Sequence, residues 1–311
     1  MAVLAFLAAA VSSAAAPAKP TFESHWQDGK AELAGYRYHV GRYGEERTGQ
    51  AVVITVTEPF SESKHVKVDD ANARPADTFE ALKVNVVRDF QTGIYDYNTM
   101  TSVFVRSRDF SPVKVTFTSA EWCGMVYEEL DFRPRGVRQW LRSYFEGESA
   151  DRTLPAMKGG ISGDQLFVLV RGLRGDYLKP REPRRVTLLP SAIDRRLGHR
   201  PLAWTGATIT RSAAPERIRV PAGTFAANVY RVASGDQRVT TFWVEAAYPH
   251  RIVKWESGWG LGERRTNEPR ESAELLGSAR LPYWQLHGNG EENYLKTLGL
   301  KPLPIPSQTA P

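Results

Sequence analysis

The sequence predicts an all-β protein, mainly antiparallel, folded as curved sheets, an open β-barrel or a sandwich with one or two short helices. Three observations predict it. Apolar residues recur at every second position in short runs, turn-forming residues divide those runs, and the links are too short for the crossovers of parallel strands. Leu82, Val84 and Val86 alternate with Lys83 and Asn85, and Val113, Val115 and Phe117 alternate with Lys114, Thr116 and Thr118. A period of two sends one set of side chains to a core and the other to solvent or a second layer.

Residues 1–16 are apolar or small, with Leu4, Phe6, Leu7 and Val11 as a short hydrophobic stretch. Ala14 and Ala16 then stand at small-residue spacing before Pro17. This reads as a cleaved signal peptide and a periplasmic or secreted address. The run falls short of the roughly 20 residues a membrane-spanning helix needs. No later stretch is long enough either, so no transmembrane span is expected.

A β-rich region is expected over 17–177. Within it, Tyr36-Arg37-Tyr38-His39-Val40 and Ala51-Val52-Val53-Ile54-Thr55-Val56-Thr57 read as strands, with a glycine-interrupted connection over 41–49. Ser162 and Gln165 have capping-box spacing, and Leu166, Leu169, Val170 and Leu173 follow on one helical face. A helix near 163–173, ended by Gly172 and Gly175, is therefore expected to close one side of a sheet. Residues 178–200 read as a basic connection and a boundary, carrying Pro180, Pro183 and Pro190. Those prolines oppose a regular helix, so Arg184, Arg185, Arg195 and Arg196 are expected to project as a surface for anions. Residues 201–280 read as a β-meander, with turns at Val220-Pro221-Ala222-Gly223, Ser234-Gly235-Asp236 and Tyr248-Pro249-His250. Over 281–311, a short helix near 291–298 precedes a mobile proline-rich tail.

The 311 residues fit one or two domains, and 24% charged with 11% aromatic residues describe a chain able to bury a core. Cys123 is the only cysteine, so an internal disulfide is excluded. The formal net charge is +6. That charge reads first as a solvated basic surface, and for an exported protein the alternative anionic partners are lipid headgroups or envelope polymers rather than nucleic acid.

Nucleotide-binding loops, the H-E-x-x-H pair and the G-x-S-x-G elbow are all missing. The six histidines stand singly. No metal site or cofactor is expected. Glu121-Trp122-Cys123-Gly124 is the most distinctive local motif. Cys123 could act as a nucleophile with Glu121 beside it. An unpaired thiol in an oxidising compartment is vulnerable to oxidation, however, which favours Trp122 and Cys123 buried on a strand. Tyr95, Asp96 and Tyr97 form a second cluster. With Trp122 they are candidates to grip a lipid headgroup or sugar, the alternative being a packed loop between strands.

The meander segment IRVPAGTFAANVYRVASGDQRVTTFWVEAAYPHRIVKWES resembles exported bacterial proteins of the DUF3108 family. Earlier in the chain, YGEERTGQAVVITVTEPFSESKHVKVDD, FQTGIYDYNTMTSVF, TSAEWCGMVYEEL and RSYFEGE are similar to an uncharacterised family of exported bacterial proteins, and YLKTLGL extends the likeness toward the C-terminus. Some members of that family carry a septum-formation-inhibitor (Maf) label, although the motifs of Maf nucleotide pyrophosphatases do not occur in this chain. The DUF3108 resemblance implies a half-barrel like that of lipoprotein carriers and supplies no catalytic residue. The expected function is that of an exported, non-enzymatic binding or envelope-associated protein for a lipid or other apolar ligand. The alternative is an envelope hydrolase or transferase using Cys123 and Glu121.

Overall fold

The computed structural model describes residues 20–259 and 270–302. The expected leader, 1–16, and the tail from 303 onward lie outside the described residues. After a one-turn helix, α1 (Phe22–Trp26), capped by Thr21, the chain climbs and descends through eight strands. These are β1 (Ala31–Arg42), β2 (Glu45–Ser61), β3 (Thr78–Thr92), β4 (Tyr95–Arg106), β5 (Pro112–Glu121), β6 (Gly124–Arg133), β7 (Gly136–Ser143) and β8 (Ala150–Pro155). Next come β9 (Ile161–Ser162), α2 (Leu166–Leu169), β10 (Arg184–Leu189) and α3 (Ala192–Leu197). The final strands are β11 (Thr205–Arg211), β12 (Glu216–Val220), β13 (Gly223–Ser234), β14 (Arg238–Glu245), β15 (Ile252–Trp259) and β16 (Glu271–Leu281).

All sixteen strands belong to one sheet, ordered β8-β7-β6-β5-β4-β3-β2-β1-β16-β15-β14-β13-β11-β10-β9, with β12 paired to β13. Neighbours are antiparallel except β9 and β10. The early and late meanders are joined by β1 against β16, from Ala31 opposite Leu281 to Val40 opposite Glu271. The sheet is not closed, and β8 and β9 are its two ends.

Its curvature follows from what α3 touches. Arg195 pairs with Glu128 on β6, while Asp194 pairs with Arg238 on β14. Those strands stand eight places apart in the sheet, which would be about 38 Å if flat at about 4.8 Å per strand. A six-residue helix is about 9 Å long. The sheet therefore wraps round α3, and its inner face forms one buried cluster containing Tyr36, Val84, Phe117, Leu189, Ile193 and Trp255.

Period two places Leu82, Val84, Val86, Val115 and Phe117 in the inner cluster as expected. Val113 is buried too, but on the other face with Phe60 and Ala81, because the register shift opposite Phe104 and Val105 breaks the alternation there. The three meander turns fall between β12, β13, β14 and β15 where the sequence puts them. Gly41 and Gly49 lie inside strands, and the β1–β2 turn is only Tyr43-Gly44. Gly49 marks a close approach instead of a break, because a Cβ there would stand 2.1 Å from the Asp89 carbonyl oxygen.

The expected 163–173 helix is a single α-helical turn, α2, with Leu166 buried, continued by turns in which Val170 and Leu173 are buried. Half of its capping box forms: the Ser162 N–H donates to Gln165 Oε1 at 3.4 Å, but Ser162 Oγ accepts from the Asp164 amide. The 178–200 segment is not an exposed connection throughout, since β10 joins the sheet and every residue of α3 is buried. At the C-terminus a 3₁₀ helix spans Glu291–Leu298, and Leu298 and Leu300 cover Ala31, Leu33 and Val56 on the outer face.

Candidate functional site

A cavity of about 350 Å³ opens between the inner face of β5–β8 and the segment that begins with α3. Its apolar wall is made by Phe117, Val126, Leu141, Ala192 and Leu202, and its polar wall by Glu128, Arg152, Arg195, Arg196 and His199. The β7–β8 hairpin, through Gly147 and Glu148, forms part of its mouth.

The polar wall grows directly from strand periodicity. Glu121 continues the inward row Val115, Phe117 and Ser119, while Glu128 lies between inward Val126 and Leu130. Two carboxylates on a core face require buried partners, and α3 supplies them. Arg195 donates to both Glu128 oxygens, and Gln139 Nε2 donates to Glu128 Oε1 at 2.5 Å. Gln139 Oε1 in turn accepts from Arg152 Nε at 2.8 Å, and Arg152 Nη2 donates to the Leu202 carbonyl at 2.8 Å. Arg196 Nη2 donates to Glu121 at 2.6 Å, and its guanidinium lies 4.3 Å from the centre of the Phe145 ring. Its Nε and Nη1 are buried with no hydrogen-bond partner among the described residues.

At the mouth, His199 Nδ1 contacts Glu148 Oε1 at 2.6 Å, and Ser143 donates to the other oxygen at 2.6 Å. Burial alone would raise the Glu148 carboxyl, but the bonds from Ser143 and His199 outweigh it and hold it below the usual range. Beneath α3 lies a second polar cluster round a cavity of about 40 Å³. There Glu271 accepts from Arg88, Tyr38 and Trp255. Asp164 accepts from the Ala192 amide at 3.0 Å. Burial pushes the Asp164 carboxyl up to about 6, against the Ala192 amide and the Arg195 charge.

The sequence-derived candidates divide sharply. Trp122 and Cys123 form the two-residue turn between β5 and β6 and are exposed, Trp122 at 70%. They are not buried on a strand: Glu121 pairs with Gly124, so the residues between them must turn outward. Glu121 is buried and held by Arg196. Tyr97 is buried, its ring stacked on Phe90 at 4.8 Å and its hydroxyl 2.8 Å from that of Tyr43. Burial, with Glu121 and Tyr43, pushes the Tyr97 phenol upward. Tyr95 is half-buried and Asp96 exposed beside it. Arg184 and Arg185 are exposed on β10. Arg195 and Arg196 are buried, which corrects the expectation that they project to solvent. The inward acids of β5 and β6 draw them inside the curved sheet.

Sequence reasoning missed α3, Glu128 and Arg152. The signals were present: Ser191 and Asp194 at capping spacing, arginines in the last turn, Gly198 after it, and acids at inward positions of two strands. Among the described residues no group of three or more His, Cys, Asp or Glu could hold a metal ion, and no helix is long and apolar enough to cross a membrane. A scan against protein-family models and a search of curated proteins each found no match to this chain.

Proposed function

We propose that this is an exported, non-enzymatic protein that binds an apolar or lipidic component of the cell envelope in the cavity between β5–β8 and α3. The cavity carries the reading: about 350 Å³, walled on one side by Phe117, Val126 and Leu141, with arginines converging opposite. That size and mix are those of small-molecule sites, which run from about 300 to 1,000 Å³. Export rests on the leader-like residues 1–16, and the resemblance to DUF3108 half-barrels agrees with a curved sheet used as a container. Envelope association draws support from the hairpin tips at the cavity end of the sheet, where Tyr43, Ile94, Trp122 and Tyr144 are exposed. Aromatic side chains with polar tips suit a membrane interface.

A hydrolase or transferase using Cys123 and Glu121 has weaker support. The thiol is accessible, but the Glu121 carboxylate is buried against Arg196 and is not placed to serve as its base.

The reading is tested by stripping the protein of lipid and titrating it with a fluorescent acyl probe. Val126→Trp, which fills the apolar wall, should weaken binding by about tenfold or more, a difference of about 1.4 kcal/mol. Equal binding by the wild type and a folded Val126→Trp variant would place the ligand elsewhere.

A further inference from the structure

We infer that the ligand of this cavity is a single-chain anionic amphiphile, its acidic head held by Arg196 and Arg152 and its chain lying against Phe117, Val126 and Leu141. The inference rests on the binding function proposed above and adds the chemical class of the ligand. Arg196 has only 4% of its side chain exposed, yet among the described residues its Nε and Nη1 have no acceptor. Buried donors are nearly always paired, since leaving one unmade forfeits its hydration without return. The same side chain lines the cavity, and a turn of its guanidinium would present those donors to an acceptor there.

Arg152 adds the charge. Arg195 is neutralised by Glu128 and Arg196 by Glu121, whereas among the described residues Arg152 bonds to the amide oxygen of Gln139 and the carbonyl of Leu202 and to no carboxylate. Its positive charge faces the cavity without a carboxylate to balance it, and a guanidinium binds carboxylate or phosphate more strongly than any neutral acceptor. A neutral alcohol would leave that charge unanswered, and a cationic head would be repelled by it. The opposite wall is apolar and gains by covering a hydrocarbon chain. Size favours a small ligand: about 350 Å³ lies near the lower end of small-molecule sites, and a single chain of medium length suits it. Carboxylate and phosphate heads share this chemistry.

Calorimetric titration of the delipidated full chain with decanoate, decyl phosphate, decanol and decyltrimethylammonium tests the inference. At least one of the two anions should bind about tenfold or more tightly than decanol, and the tighter anion identifies the head. Decyltrimethylammonium should bind most weakly. Arg152→Gln should lower anion affinity by about threefold to tenfold while leaving decanol unchanged. The paired exchange Glu121→Gln with Arg196→Gln keeps the buried charge balanced and should reduce the preference for anions over decanol. If that variant does not fold, the wild type and Arg152→Gln still decide the matter. Equal affinity for decanol and both anions in the wild type overturns the anionic head but leaves the binding function standing. Failure of all four compounds to bind overturns both.

Discussion

Arg195 and Arg196 are each more than nine-tenths buried, and each meets a carboxylate from the inner face of the sheet. A buried ion pair adds little net stability over a well-packed apolar pair, but removing one partner strands the other charge. Glu128→Leu should therefore cost about 3–5 kcal/mol, whereas Glu128→Leu with Arg195→Met should recover most of that loss. Urea unfolding midpoints check both, and a single-variant loss below about 1 kcal/mol would mean the pair is hydrated like a surface bridge. Cys123 sets the opposite expectation. On an exposed turn it packs against little, so Cys123→Ser should shift stability by no more than about 0.5 kcal/mol. In the native protein the thiol should react with Ellman's reagent as fast as it does in urea. Slow labelling would show that something covers the β5–β6 turn.

Among the elements, the clearest fit is at Gly35 and Gly277, where β1 and β16 pass under the C-terminal 3₁₀ helix. A Cβ at Gly35 would stand 2.2 Å from the Leu298 carbonyl oxygen, and one at Gly277 would stand 2.6 Å from that of Thr297. Backbone cannot swing aside as a side-chain end can, so Gly35→Ala should displace the 291–300 segment. The expected loss is about 1–3 kcal/mol, the usual scale of overpacking. Hydrogen exchange over 291–300 should accelerate while exchange in β5–β7 stays unchanged. Equal protection in variant and wild type would disprove the docking. The strands themselves were legible in the sequence, because alternation at Leu82–Val86 and Val115–Phe117 reports directly which face meets the core, whereas the register shift that turns Val113 to the other face leaves no mark in the pattern. Gly49 was misleading because a glycine demanded by close approach looks in sequence like one demanded by a turn. Cys123 was misleading because the vulnerability of a free thiol to oxidation argues for burial, whereas the pairing of Glu121 with Gly124 puts it in an exposed turn. The cavity was not legible at all. Its walls come from β5–β8 and from a segment some seventy residues later, and only the wrap of the sheet brings Glu121 and Glu128 to Arg196 and Arg195.

At the scale of the molecule, α3 acts as a bracket held from both arms of the sheet, by Glu128 on β6 and Arg238 on β14. Asp164 supports its first turn by accepting the Ala192 amide. That position makes Asp164 a reporter of global stability against pH. Burial raises its carboxyl from the ordinary 3.8 to about 6, so between about pH 4 and pH 6 the native state holds a proton that the unfolded chain has released. Stability from this group is consequently fullest below pH 4 and declines as pH rises to 6, by on the order of 2–3 kcal/mol at about 1.4 kcal/mol per pH unit. His25 works in the opposite direction. Burial, with the Arg280 and Arg171 charges, lowers it from 6.5 to about 4, so its contribution is present above 6.5 and lost as pH falls toward 4. The two slopes oppose each other, and the wild-type profile alone will look shallow. Asp164→Asn removes one of them while keeping an oxygen for the Ala192 amide. Relative to wild type, the variant should gain stability progressively from pH 4 to pH 6 and hold that gain at pH 7, as read from urea unfolding at each pH. A difference between variant and wild type that does not change across this range would mean that Asp164 titrates as an ordinary carboxyl, and that the ground beneath α3 is open to water.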